Sequence, residues 1–298
     1  MCGIVGLHLK DQALETRLGE LLTPMLVALT TRGPDSAGIA LYGSELPEGR
    51  GKWSLRAPHE GYAWQPLADR LAAELGAGVE IRPNADTAVL VSEAAAARLL
   101  DRLGAAAPEV RVVGHGRAME IYKDVGDPAG ICARYGIAGV AGYQGVGHTR
   151  MATESAVTTD HSHPFAPAAD LSLVHNGSFS NHATLRRRLA DEGVAFQTDN
   201  DSEVVACYVA DRMAKGDDLG DALRMVLKEF DGFFTLLVAT RTQFAVVRDA
   251  FACKPAVIAQ CDGYVAMASE YHALAALPGI EDAEVFEPMP EEIHLWSR

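Results

Sequence analysis

Basic residues are in short supply. The 298-residue chain has 26 lysines and arginines against 40 aspartates and glutamates, a formal charge of −14. Gripping a phosphate backbone needs a basic surface, so nucleic acid is a poor partner for this sequence. The one basic run, Arg186-Arg187-Arg188, falls on an expected helix and reads as its solvated face. Long apolar runs are missing as well. Those present are short and broken by charge, which leaves no candidate for a membrane-spanning helix. Met1 to Lys10 lacks the basic start and long apolar run of a secretory signal, and a cytoplasmic location is expected. Cysteine is sparse and unpatterned: Cys2, Cys132, Cys207, Cys253 and Cys261 are an odd number without paired spacing. That argues against a disulfide framework and against a zinc site, and no metal is expected. Four of the five read as ordinary small buried residues.

What is present begins at the N-terminus, with Met1-Cys2-Gly3-Ile4-Val5-Gly6. Once an initiator methionine is removed, Cys2 carries both a thiol and the free α-amine. The amine has a reference pKa of about 7.7 to 8.0, so it can take the thiol proton and later pass it to a leaving amine. Nucleophile and base then share one residue, and the amine does the work of a triad histidine. Gly3 permits a tight turn beside a substrate, and Ile4-Val5 opens a short apolar strand that can hold the thiol rigidly.

Leu14, Leu18, Leu21, Leu22, Met25, Leu26 and Leu29 recur at helical spacing, interrupted by Pro24, so a helix there is kinked or starts late. Gly33-Pro34-Asp35 is a turn that places Arg32 at an element end. Read alone, Arg32 is a surface arginine. Residues 44 to about 116 differ in character. Ser44 to Gly61 reads as loop, followed by strands at 79–82 and 88–92, a helix over 94–103 and a strand at 110–113. This small unit could be a lid, a docking surface or an idle insertion. Gly114-His115-Gly116 reads as a turn. Residues 145–153 form a strand emptying into a loop, with Arg150 at its mouth, suited to a bidentate grip on a carboxylate. Asp160-His161-Ser162-His163-Pro164 reads as a loop, because no further ligand stands at a metal-binding spacing. The strand Leu171 to Val174 runs into His175-Asn176-Gly177. The Asn176 amide beside the Gly177 N–H is a candidate donor pair for a developing oxyanion, although Asn-Gly is equally a common turn dipeptide. Asp201, in Thr198-Asp199-Asn200-Asp201-Ser202-Glu203, is either a helix cap or an anion for an ammonium group. Helices over 181–189, 219–230 and 269–277 alternate with strands at 233–239, 244–248, 255–259 and 264–268, with weak strands near Val285 and Ile293. Stacked layers around antiparallel sheets, an α+β class, are expected.

Taken together, Cys2-Gly3-Ile4-Val5-Gly6, Arg32 to Gly38, Gly147-His148-Thr149-Arg150, His175-Asn176-Gly177, Asp201-Ser202-Glu203, Arg248-Asp249 with Lys254-Pro255, and Ala268-Ser269-Glu270 resemble the glutamine amidotransferase domain of class II. They stand in that family's order and span the chain except roughly 44–116. The resemblance implies a four-layer αββα N-terminal-nucleophile hydrolase fold over residues 1–298, with an inserted small α/β unit at about 44–116. It implies hydrolysis of the glutamine side-chain amide, or that of another γ-glutamyl amide, through a thioester on Cys2. By carry-over, Asn176 and Gly177 form the oxyanion hole. Arg150 holds the substrate α-carboxylate, Asp201 its α-ammonium, and Arg32 closes the nucleophile's surroundings on the substrate side. Met151, Glu154 and Ala252 depart from the family pattern, where many members have an aromatic residue, some a histidine, and most a glycine. The chain stops just beyond the glutaminase-like part, which resembles free-standing amidotransferase subunits of glutamate-synthase-like systems, with the N-methylglutamate synthase subunit as nearest match. On that resemblance the chain carries no cofactor, and FMN, with an iron–sulfur cluster as a further option, is expected on partner synthase subunits of a hetero-oligomer. A non-catalytic assembly subunit is the alternative, and a retained Met1 would favour it.

Overall fold

The computed structural model describes residues 2–151 and 157–298. Its chain starts with β1 (Gly3–Leu9), α1 (Leu18–Ala28) and β2 (Ser36–Tyr42). A separate group follows: β3 (Gly51–Arg56), α2 (Trp64–Leu75), β4 (Val79–Asn84), β5 (Thr87–Ser92), α3 (Ala96–Ala106) and β6 (Arg111–Gly116). The chain then returns through β7 (Met119–Val125), α4 (Pro128–Tyr135), β8 (Gln144–Arg150) and β9 (Ser172–Phe179) to three helices, α5 (His182–Asp191), α6 (Asp201–Ala214) and α7 (Leu219–Glu229). Six strands close it: β10 (Gly232–Ala239), β11 (Gln243–Arg248), β12 (Val257–Gln260), β13 (Tyr264–Ala268), β14 (Glu284–Phe286) and β15 (Ile293–Ser297).

A seven-stranded sheet in the order β14-β12-β13-β1-β8-β2-β7 stacks on a four-stranded sheet, β15-β11-β10-β9, and every pairing within them is antiparallel. Side-chain alternation decides what lies between them. Val5, Leu7 and Leu9 pack under α1 and α4 with Leu22, Leu26 and Ile131. Ile4, Val146, Val174, Leu237 and Phe244 fill the space between the sheets. Leu173, Phe179, Leu236 and Val247 meet α5, α6 and α7. Three apolar layers thus join four layers of structure, the αββα arrangement of N-terminal-nucleophile hydrolases. Among the described residues no helix is long and apolar enough to cross a membrane.

Three local readings need correction. Ser44 to Gly61 is not all loop, because β3 runs through it as an inner strand of a third sheet, β4-β5-β3-β6. Lys52 and Ser54 of β3 are polar but buried. Lys52 Nζ reaches Glu120 at 3.2 Å, and Ser54 Oγ accepts from Ile121 N at 2.8 Å. His115 ends a strand, paired with Trp53, rather than lying in a turn. The helix expected over 269–277 shrinks to a short 3-10 turn at Tyr271–Ala273, because Ser269 is tied back to Ile4. The helix of the first apolar pattern starts late, one of the two outcomes expected: α1 begins at Leu18, after a separate 3-10 turn at Gln12–Arg17, and runs through Pro24.

Candidate active site

Cys2 precedes β1, and the register of that strand fixes its neighbours. Gly3 pairs with Thr149, which leaves Cys2 and Arg150 side by side at the open end of the pairing. A Cβ on Gly6 would meet Leu237 and Phe244 of the facing sheet, so Cys2, Ile4 and Gly6 share the inter-sheet face by alternation. On β8, Val146, His148 and Arg150 share that face, since Val146 belongs to the inter-sheet core and the His148 Nε2–H donates across the gap to the His175 carbonyl at 3.0 Å. On β9, Val174 points the same way, and so does Asn176 two residues on. Three of the sequence candidates, Cys2, Arg150 and Asn176, are thereby presented to one inter-sheet space.

Asn176 is 3% exposed, and among the described residues its Nδ2 has no hydrogen-bond partner. A buried amide donor left unpaired costs about 1 to 3 kcal/mol, which makes it a strong site for an incoming acceptor. Gly177 has φ +152°, and a Cβ there would stand 1.8 Å from the Phe233 carbonyl oxygen. The approach of β10 therefore admits only glycine at this position.

Arg32 is buried at the far end of the turn after α1. Its Nε donates to the Cys2 carbonyl at 3.0 Å, its Nη1 pairs with Glu270, and its Nη2 is buried without a partner. Ser269, next to Glu270, donates its N–H to the Ile4 carbonyl and accepts from the Ile4 N–H through Oγ, both at 2.9 Å. The start of β1 is thus clamped from two sides. Ser269 and Glu270 were visible as part of a matching motif, but nothing in the sequence assigned them this work.

Asp201 is the first residue of α6, and the cap is Asn200, whose side chain accepts from Ser202 N at 2.8 Å. The Asp201 carboxylate accepts from Phe179 N at 3.0 Å and from Ser202 Oγ at 3.2 Å. An ionised carboxylate offers about four acceptor positions, so capacity for an ammonium group remains. Behind Asn176, Thr235 donates to the Lys254 carbonyl at 3.1 Å. The adjoining turn is shaped by the Asp249 carboxylate, which accepts from Phe234, Phe251 and Ala252 N–H groups. Ala252 adopts φ +49°, the left-handed conformation that glycine accepts without penalty.

Three histidines that sequence reasoning gave no role meet behind this constellation. The His148 and His163 rings stack at 4.0 Å, and His163 lies 6.4 Å from His175. Burial pushes His148 down to about 3, His175 down to about 4, and His163 well below the ordinary imidazole range. All three are neutral at physiological pH. Among the described residues no group of three or more His, Cys, Asp or Glu side chains could hold a metal ion. Met1 and Glu154, on which processing of the terminus and one departure from the family pattern turn, lie outside the described residues.

Comparison with known proteins places this geometry in context. Residues 148–276 match a family described as "Glutamine amidotransferase domain". The chain is 51% identical over 300 residues to "Glutamine amidotransferase-like protein GlxB" of Rhizobium meliloti (strain 1021), covering all of this chain and 98% of that one. It is 32% identical over 308 residues to a "Putative glutamine amidotransferase" of Methanothermobacter thermautotrophicus, covering 100% of both. Among solved structures, the glutamine phosphoribosylpyrophosphate amidotransferase of B. subtilis superposes on the whole chain with a TM-score of 0.62 at 18% identity. The chain spans 49% of that structure's length, and the likeness bears on the fold alone.

Proposed function

The chain belongs to the class II glutamine amidotransferase family, and on that premise we propose that it hydrolyses the side-chain amide of glutamine through a thioester on Cys2. The observation that carries this reading is the unpaired, buried Asn176 Nδ2, presented to the same inter-sheet space as Cys2 and Arg150. In the proposed sequence the Cys2 α-amine, freed of Met1, takes the thiol proton, and Sγ attacks the amide carbon. The carbonyl oxygen becomes an oxyanion facing Asn176 Nδ2 and the Gly177 N–H. As the C–N bond breaks, the amine returns its proton to the leaving nitrogen, giving ammonia and a γ-glutamyl thioester. Water then attacks the thioester, and glutamate leaves with the thiol restored. Arg150 is the ligand for the α-carboxylate and Asp201 for the α-ammonium. The Arg32 bond to the Cys2 carbonyl supports a positioning role for Arg32 rather than the substrate contact implied by the resemblance.

The test is intact mass before and after incubation with a diazo-ketone analogue of glutamine. Loss of Met1 and a single adduct mapped to Cys2 are expected. A retained Met1 with no adduct would replace this reading with that of a non-catalytic assembly subunit.

We further propose that the ammonia, or an equivalent amine, passes to a synthase on partner chains of N-methylglutamate synthase or glutamate-synthase-like type, in the cytoplasm, with FMN and, as a further option, an iron–sulfur cluster on those partners. Support for this step is the sequence resemblance. The 44–116 unit is our candidate partner-facing surface, and Leu100, 39% exposed on α3, is a residue available to it. Leu100→Asp should weaken co-purification of a synthase subunit while glutamine turnover holds; unchanged association would remove the unit from that role.

A further inference from the structure

Beyond Met151 the described chain resumes at Val157, and the segment to His163 is held by side chains from three directions. On one side His161 Nε2 meets Asp199 Oδ1 at 2.7 Å, while its Nδ1 meets the Thr158 hydroxyl at 2.7 Å. On the opposite side Thr159 Oγ1 donates to Asp124 Oδ1 at 3.3 Å. From β7, Lys123 Nζ donates to the Ser162 carbonyl at 2.8 Å.

Neither anchor is an isolated contact. Asp199 sits in a turn fixed along its length. Glu203 accepts from Gln197 N and Thr198 N, both at 2.7 Å. Arg186 donates to the Thr198 and Asn200 carbonyls at 2.7 and 2.9 Å. That turn delivers Asp201 two residues later. Asp124 is the centre of a charge network whose carboxylates are buried and whose arginines are half-buried. It takes Arg56 at 3.0 Å and Arg134 at 3.0 Å, and the same two arginines reach Asp86 at 3.1 and 3.2 Å. Arg56 and Asp86 belong to the β3–β6 unit, so the segment is tied to that unit as well as to the Asp201 turn.

We infer that residues 157–163 form a positioning strap, in which the His161–Asp199 contact sets the separation between the Arg150 and Asp201 sides of the glutamine site, and the Thr159–Asp124 contact makes that separation depend on the β3–β6 unit. The effect on glutamine rests on the reading proposed above. The strap itself rests on the contacts just given. None of its residues touches the reacting atoms, so its influence is on binding the amino-acid end of the substrate, which is already engaged in the ground state. Loss of such an interaction raises KM and leaves kcat in place.

The experiment combines kinetics with amide hydrogen exchange on the full chain. Asp199 is largely exposed, so His161→Ala should raise KM for glutamine by about twofold to fivefold, the range of one solvent-exposed side-chain pair, with kcat within about twofold. Asp199→Asn, made with His161 intact, keeps an oxygen that can accept from the imidazole and should leave KM near the wild-type value. Thr159→Val and Arg56→Ala act through the same carboxylate, so the double variant should raise KM no more than the stronger single one. In His161→Ala, exchange should quicken in both 157–163 and 197–203, whether or not the protein turns over glutamine. Faster exchange without glutaminase activity in the wild type would uphold the strap and sink the catalytic reading. Unchanged exchange in both segments, or a fall in kcat at constant KM, would overturn the strap.

Discussion

Replacing Arg32 separates two roles that one residue could fill. The guanidinium is 8% exposed and makes one charge-assisted hydrogen bond to the Cys2 carbonyl and one ion pair with Glu270. Hydrogen bonds to charged groups contribute about 1.5 to 3 kcal/mol. Glu270 is 39% exposed, so its share is screened and the bond to Cys2 decides the outcome. If that bond fixes the nucleophile, Arg32→Ala should lower kcat by about 10- to 150-fold, at 1.36 kcal/mol per factor of ten, and leave KM for glutamine near its original value. Arg32→Lys keeps the charge but cannot fork between two acceptors, so it should fall between wild type and Ala. Steady-state release of glutamate gives both constants, and circular dichroism confirms that the variants fold. A raised KM with unchanged kcat would return Arg32 to the substrate. No change in either constant would mean that Ser269 alone holds the start of β1.

Asn176→Ala should cut kcat by about 10²- to 10³-fold, the usual cost of one oxyanion donor, and a loss below tenfold would remove Asn176 from that role. Ala252→Gly relieves a left-handed alanine and should stabilise the fold by about 0.5 to 1 kcal/mol in urea unfolding; a lower midpoint would contradict the strain argument. The buried imidazoles make stability depend on acid. Their native pKa values lie below the unfolded value, so the unfolded chain binds more protons from about pH 6.5 downward and stability falls with pH across that window. Each contributes about 1.4 kcal/mol per pH unit there, until its own native pKa is reached. His163→Leu removes one such contribution, and because neither ring nitrogen has a partner it should cost little near pH 7. Equal slopes for wild type and variant between about pH 4.5 and 6, a window above the native values of His148 and His175 and below the imidazole reference of about 6.5, would refute it.

The parts of the fold that were legible carried their own punctuation. β1 begins at Gly3 beside Cys2 and β8 ends at Arg150, as their sequences suggested, whereas β9 runs on through Asn176 and Gly177 to Phe179 because both residues pair with β10. What was hidden depends on partners distant in the chain. β3 looked like loop because Lys52 and Ser54 are polar, and only Glu120 and Ile121 of β7 explain why they are buried. His163 looked like a loop residue before proline. Its stacking on His148 belongs to the packing of two sheets, and no spacing in the sequence reports it. The same holds for Ser269, whose paired bonds to Ile4 are visible only once β13 lies beside β1.

Those distant partners also explain why the chemistry can sit at strand ends without becoming loose. A reacting group must be held to within a fraction of an ångström, and a loop does not do this unaided. Here Ile4 and Val174 pack between the sheets two residues behind Cys2 and Asn176, and Val146 packs there four residues behind Arg150, with the buried His148 between them. Cys2 therefore stands one residue outside β1, while Arg150 and Asn176 lie within β8 and β9 themselves. The neighbouring imidazoles add no charge to this arrangement, because burial and the nearby Arg150 both oppose protonation of His148 and His163. A cation formed there would compete with Arg150 for a substrate carboxylate. Keeping the three rings neutral leaves the recognition of charge to the strand ends, where the substrate's two charged groups are to be read apart from the amide that reacts.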